Sequence, residues 1–227
     1  MPKTNPASRT AALNRGRGRP KAKSDDEQRG LIVEAARELF VSRGYGHTTM
    51  ADVAAHCHMS KRTLYELFSG KAALFAAIVE AHRFEMLALP GDYDDLPLTE
   101  ALAQIFRIDL DDEASESRIA IMQFIMMETR QHPELGPVMR RHGPDTAIGL
   151  LAKWLNRERR RSRVSVDDTN AAAKMLMDMV FGAMAAKTAD GLEWPGAEDR
   201  TTYVRRCIDV FVNGVGTTIS RRRKKPR

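Results

Sequence analysis

From residue 26 onward the apolar residues of this 227-residue chain recur three and four positions apart, and no run of useful length alternates as a strand would. The chain is therefore expected to be all-α. Leu31, Ile32, Ala35, Ala36, Leu39 and Phe40 form one face, with Glu34, Arg37, Glu38 and Arg43 between them, which predicts an amphipathic helix ending at Gly44. Further helices are expected near 71–88, 98–112, 115–131, 134–141, 145–161, 168–187 and 198–219, punctuated by Pro90-Gly91, Pro97, His132-Pro133, Gly143-Pro144 and Pro195-Gly196. In the last of these, Tyr203, Val204, Cys207, Ile208, Phe211, Val212, Val215 and Ile219 form a stripe. In the one before it, Ala172, Met175, Leu176, Met179, Val180 and Ala183 form another.

Between Gly44 and Lys71 the elements are short. Thr49 with Asp52 makes a shortened capping box that starts a helix near Met50, whose inward residues are Val53, Ala54 and Cys57. His58-Met59-Ser60 serves as a turn, and Ser60 caps a second short helix on which Leu64, Leu67 and Phe68 gather on one side. Arg62, Tyr65 and Glu66 fall opposite, with Lys61 and Thr63 on the flanks. Such short helices need outside support, and the long helix before them supplies it. The pattern reads as a helix-turn-helix: Arg62 suits guanine edges, while Lys61, Thr63 and Tyr65 suit phosphates. The competing reading is a plain helical bundle whose polar face meets water.

Charge placement favours the first. Residues 1–23 carry seven basic side chains and residues 221–227 six, neither segment has an acid, and the residues between them carry a net −7. An acidic body with basic ends points to a polyanion such as double-stranded DNA, although such tails also serve solubility alone. Residues 1–24, rich in Pro, Gly, Arg and Ser, are expected to form a flexible arm. Cys57 and Cys207 are too few for a disulfide scaffold and fit a reducing compartment, so a cytoplasmic location is expected. The apolar runs Ile119–Met127 and Met175–Ala186 fall short of the roughly 18 to 20 residues that span a bilayer, and no membrane partner is expected.

The run from Ile32 to Leu74, with Ala36, Phe40, Gly44-Tyr45, Thr48-Thr49, Val53-Ala54, Ser60, Thr63-Leu64-Tyr65, Phe68 and Lys71, resembles the DNA-binding domain of TetR/AcrR-family transcriptional regulators. The resemblance implies a TetR-like division into a helix-turn-helix domain over 25–75, its connecting helix starting at 71, and a helical effector-binding and dimerisation domain over 76–220. It also implies that Thr49, Lys61, Thr63, Tyr65 and Lys71 face DNA, with Lys71 near a phosphate, and that the protein is a homodimer. Two positions depart from the family pattern. His58 stands where Gly is usual and is expected to be left-handed; Leu67 replaces a frequent His and suits burial. Arg15-Gly16-Arg17-Gly18-Arg19-Pro20-Lys21 resembles an AT-hook core, which would place Arg17 and Arg19 in an A·T minor groove.

In the body, Met122, Met126, Trp154, Met175 and Met179 are candidates to line an adaptable pocket for a largely apolar small-molecule effector, with Asp178 to fix a polar group. Each could instead be core. Val180, Met184, Val204, Ile208, Phe211 and Val212, from the two stripes, are candidates for the interface between two copies. His56, Cys57 and His58 point in different directions without a distant ligand cluster, so no metal is expected, and no enzyme or cofactor motif is present. The sequence thus describes an effector-released repressor of a palindromic operator, with an architectural DNA-binding protein or a helical enzyme or carrier as rivals.

Overall fold

The computed structural model describes residues 24–108, 112–185 and 200–215. They form ten α-helices and one short 3-10 turn: α1 (Asp25–Arg43), α2 (Met50–His56), α3 (Lys61–Leu67), α4 (Lys71–Met86), α5 (Leu98–Ile105), α6 (Asp112–Gln131), the turn Pro133–Leu135, α7 (Gly136–His142), α8 (Pro144–Arg160), α9 (Thr169–Ala185) and α10 (Arg200–Val215). Helix α1 starts at a full capping box, in which the Glu27 backbone N–H donates to Ser24 Oγ and the Ser24 N–H to the Glu27 carboxylate. It stops at Gly44, whose φ of 85° an L side chain rarely adopts.

Three further helix ends use the same left-handed device without glycine. At His58 (φ 52°), Arg107 (φ 47°) and Ser162 (φ 59°) the chain turns left-handed immediately after α2, α5 and α8. The next residue then reaches back: Met59 N–H to Ala54 O at 2.9 Å, Ile108 N–H to Ala103 O at 3.1 Å and Arg163 N–H to Glu158 O at 3.0 Å. These are Schellman motifs, and they satisfy helix carbonyls that would otherwise lack donors. The motif at Arg107 is why the helix expected over 98–112 ends at Ile105; buried Ile108 holds the chain in its new direction. The helix expected over 134–141 is split between the 3-10 turn and α7.

Two apolar cores result. The first joins Ile32, Phe40, Val53, Leu64, Phe68 and Phe75 and continues into Ile121, Phe124 and Ile125 of α6 and Leu135. The core of the helix-turn-helix therefore extends past residue 75 into α4 and α6. The second core gathers Leu102, Ile105, Phe106, Leu151, Trp154, Leu155, Leu176, Val204 and Ile208. Helix α4 packs on α1, α6 and α7, while α8 packs on α9 and α10 packs on α5 and α9. The α9 stripe is turned slightly from its expected direction: Ala172, Ala173, Leu176 and Val180 are buried, and Met175 is 62% exposed.

Candidate nucleic-acid interface

Helices α2 and α3 are seven residues each, too short to hold shape unaided, and named polar contacts compensate. At the start of α2 the Asp52 N–H donates to Thr49 Oγ1 at 3.2 Å, and the Thr49 N–H and hydroxyl donate to Asp52 Oδ2 at 2.8 and 2.5 Å. The bonds from the Thr49 hydroxyl, then its N–H, hold the Asp52 carboxyl below the usual carboxylate range. Ser60 Oγ accepts from the Thr63 N–H at 3.1 Å, starting α3. At the other end of α3, Arg29 of α1 donates to Leu67 O at 2.5 Å and lies over the Phe68 ring. His56 faces Glu38 at 3.2 Å, tying α2 to α1.

The Gly44-Tyr45-Gly46 turn is the hub of this head. Buried Tyr45 meets the rings of Phe40, Phe75 and His132 edge-on, with centroids 5.3, 5.8 and 5.2 Å away. Lys71 Nζ lies 4.1 Å from the Tyr45 ring centroid and donates to Tyr45 O at 2.6 Å. Burial pushes the Lys71 pKa down, against the opposing pull of Glu128 and Glu134. The ammonium expected near a phosphate is thus engaged with the protein's own turn. Thr48, fully buried, donates its hydroxyl toward Gly44 O at 3.0 Å and Leu39 O at 3.3 Å.

With Leu64 and Phe68 buried beneath it, α3 turns the rest of its length outward. Tyr65 is 52% exposed and the Arg62 side chain 89%. Lys61 is exposed, and Thr63 is half-buried with its Oγ1 2.8 Å from Ser60 Oγ. Arg62 Nε donates to Glu66 Oε1 at 3.0 Å. An exposed pair of this spacing is worth only about 0.3–0.5 kcal/mol, so a base edge or phosphate competes for the guanidinium easily. Lys61, Arg62, Thr63 and Tyr65 thus come together on one helix, Thr49 sits exposed at the head of the neighbouring one, and His58 has its expected left-handed φ. Arg17 and Arg19 lie outside the described residues. The Arg29 clamp had no sequence signal beyond an arginine one α1 turn before the apolar face.

The other candidates disperse. Met122 and Met126 of α6 line a cavity of about 340 Å³ between α4, α6, α7, α8 and α9, together with Met177 and Phe181. Trp154 is in the second core, Met179 is half-buried against that core, and Asp178 is exposed and paired with Lys174 at 2.8 Å. Met175 faces outward. None of these four lines that cavity. The interface candidates Val180, Val204, Ile208 and Phe211 are already covered by the chain's own core, which removes their surface from any partner; Val212 is half-buried, and the Met184 side chain lies outside what is described. Periodicity found a buried face but not what buries it. The sequence reading missed His82 and Arg83, which line the cavity; they fall at the inward spacing of Leu74, Phe75, Ile78, Val79 and Met86.

Among the described residues, no helix is long and apolar enough to cross a membrane and no group of side chains could hold a metal ion.

A braced three-helix head with a polar outward α3, joined to a larger helical body, defines the class of helix-turn-helix DNA-binding proteins. The family model described as bacterial regulatory proteins of the tetR family matches residues 32–78, and that of the AefR-like transcriptional repressor C-terminal domain matches residues 100–214, more than half the chain. The protein belongs to the TetR family of DNA-binding transcriptional regulators and is not an enzyme. Among curated relatives, the HTH-type transcriptional regulator UidR of Escherichia coli K12 is 25% identical over 166 residues, 72% of this chain and 83% of UidR. Among solved structures, TylP, a TetR regulator from Streptomyces fradiae, superposes with a TM-score of 0.63 at 19% identity, covering 86% of this chain and 89% of TylP. SmeT, the repressor of a Stenotrophomonas maltophilia multidrug efflux pump, solved in complex with triclosan, superposes at 0.56 with 22% identity, covering 84% of this chain and 92% of SmeT.

Proposed function

We propose that the protein is a homodimeric repressor that binds a palindromic operator through α3 and releases it when a small, largely apolar effector occupies the cavity beside α4. The observation that carries the DNA half is the outward face of α3, where Lys61, Arg62 and Tyr65 stand exposed on a helix fixed at both ends. The repressor sign is supported by the AefR-like repressor match over the body. That this fold holds small molecules is supported by triclosan in SmeT.

The second copy is expected against the outward faces of α9 and α10. Met175 and Val210 are exposed there, and Gly182 and Gly214 leave open space for close approach. Two α3 helices would then enter successive major grooves about 34–36 Å apart. Arg17 and Arg19 would add minor-groove contacts at A·T flanks, and removing residues 1–23 would weaken binding there. The effector acts only through unequal affinity for the operator-spanning and non-spanning arrangements. Its cavity touches α4, whose first residue, Lys71, braces the turn behind the head, so occupancy has a direct mechanical route to α3.

Sedimentation of the protein alone and on a selected duplex tests this. A dimer on an inverted repeat, displaced by a ligand that also raises the melting temperature, is the expected result. A monomer on a single half-site would overturn it.

A further inference from the structure

Twelve methionines occur in the chain, and five of them, Met86, Met122, Met126, Met139 and Met177, meet around the cavity on the seam between the two cores. They come from α4, α6, α7 and α9, so the thioethers of four helices share one space of about 340 Å³. Met86 is 7% exposed, but the other four are half-buried, which leaves a small molecule a path to their side chains. The exposed lining is almost entirely apolar. The polar atoms of His82 and Arg83 are sealed behind it: both imidazole nitrogens and Arg83 Nε and Nη1 have essentially no accessible surface, and Arg83 Nη2 lies toward Glu80 at 3.9 Å. The space therefore offers an entering or newly formed polar group almost nothing to bond.

A thioether reacts without first losing a proton, whereas a thiol reacts as its thiolate. Burial pushes the pKa of both free thiols, Cys57 and Cys207, up, so neither is poised to compete. We propose that the seam methionines form a modification site for small neutral oxygen-donating oxidants, in the simplest case hypochlorous acid, and that their conversion to sulfoxides opens the seam. For each sulfur one S–O bond forms and the O–Cl bond breaks, chlorine leaves as chloride, and the hydroxyl proton goes to water. The sulfur is oxidised by two electrons and the chlorine reduced by two. Neutrality matters, because a charged oxidant would have to shed its hydration in a space without a counter-charge. Each sulfoxide oxygen is a strong acceptor left unmatched between apolar walls, and the walls relieve it by parting to admit water. Parting moves α4, which carries Met86 in the wall and, at its first residue, the Lys71 brace to the Tyr45 turn. The modification goes beyond the effector reading and rests on it only for the consequence on DNA.

Stepwise oxidation of the full chain with hypochlorous acid tests the proposal, with sulfoxides placed by peptide mass spectrometry. Sulfoxides at Met122, Met126, Met139 and Met177 are expected to accompany a fall of about 5 °C or more in melting temperature. Methionine sulfoxide reductases of both stereospecificities should reverse it. Replacing these four residues by Leu, close in volume and without sulfur, should abolish most of the fall. If that variant does not fold, the pair Met122→Leu and Met126→Leu should show a partial loss. Met59→Leu in the head, Met127→Leu and Met175→Leu at exposed positions, and Cys57→Ala with Cys207→Ala should each leave the response in place. Seam sulfurs that stay unmodified at doses converting Met127, or a response that survives the Leu replacements, would overturn the proposal, and so would a response lost with any of the other variants. Affinity for a duplex selected by the unaltered protein is scored separately, with a loss of roughly tenfold or more expected on oxidation. Seam oxidation that lowers the melting temperature without releasing the duplex upholds the modification site and defeats the route from cavity to α3. A small apolar ligand that releases the duplex where oxidation leaves the seam closed defeats this proposal and upholds the effector reading.

Discussion

The head and the seam cavity are built by opposite means. In the head, two seven-residue helices are pinned by the Thr49–Asp52 box, the Ser60 cap, the Arg29 clamp and the Lys71 brace, over a core whose centre is fully buried. Around the cavity, longer helices meet through methionines, and the lining of α4 includes the deeply buried His82 and Arg83, which lie beside Glu85 and Glu80. The difference teaches where rigidity is needed. A groove reader must present donors in one geometry, while the effector-sensing role proposed for the cavity requires two arrangements of similar free energy.

Truncations on the two sides give the widest separation. Phe75→Ala, at a fully buried site against Tyr45, should cost about 3–5 kcal/mol in denaturant unfolding, whereas Met126→Ala on the half-buried cavity wall should cost only about 1–2. Equal costs would erase the contrast between a fixed head and a yielding seam. Next come the outward residues of α3. Arg62→Ala should lose about 1–3 kcal/mol of affinity for the preferred duplex and relax specificity at one position, with folding stability unchanged within about 0.5 kcal/mol. Lys61→Ala should instead weaken binding to all sequences and reduce the salt slope by about one.

The brace is smaller still. Lys71→Met removes the donor to Tyr45 O and the cation above its ring and should cost roughly 1–2 kcal/mol of stability, read by urea midpoint. An unchanged midpoint with lost DNA affinity would return Lys71 to the phosphate role that the family resemblance implies. The smallest change has the opposite sign. His58→Gly relieves a left-handed residue at the α2 end and should stabilise by about 0.5–1 kcal/mol after the entropy of glycine is deducted, while His58→Val should destabilise.

These contrasts also explain what was legible in the sequence. The head announces itself locally: Ser60, Thr49 with Asp52, and the Leu64, Leu67, Phe68 face are all read from neighbours within one helical turn. Helix α5 ends well short of residue 112 because the chain turns left-handed at Arg107, a residue type that gives no sign of such an end; only the buried position of Ile108, visible in the fold, selects it. Residue type and periodicity point equally to Met122, Met126, Trp154 and Met175 as cavity-lining candidates, and only the packing of α4 against α6 and α7 decides that the first two share its wall and the last two do not. Arg83 carries no sequence signal of burial, because a charged residue is usually at the surface. Spacing places Val204 and Ile208 on an apolar stripe, yet no spacing rule distinguishes a face covered by its own chain, as these are, from one covered by a second copy.

Selection of bound sequences from random duplex DNA, run at one stated salt concentration with the unaltered protein and with Arg62→Ala, bears most directly on the role of α3. The unaltered protein should enrich an inverted repeat with half-sites one helical turn or a multiple apart, and Arg62→Ala should lose preference at one symmetric pair of positions while keeping the rest. Enrichment of no sequence, or identical enrichment by both proteins, would contradict the account.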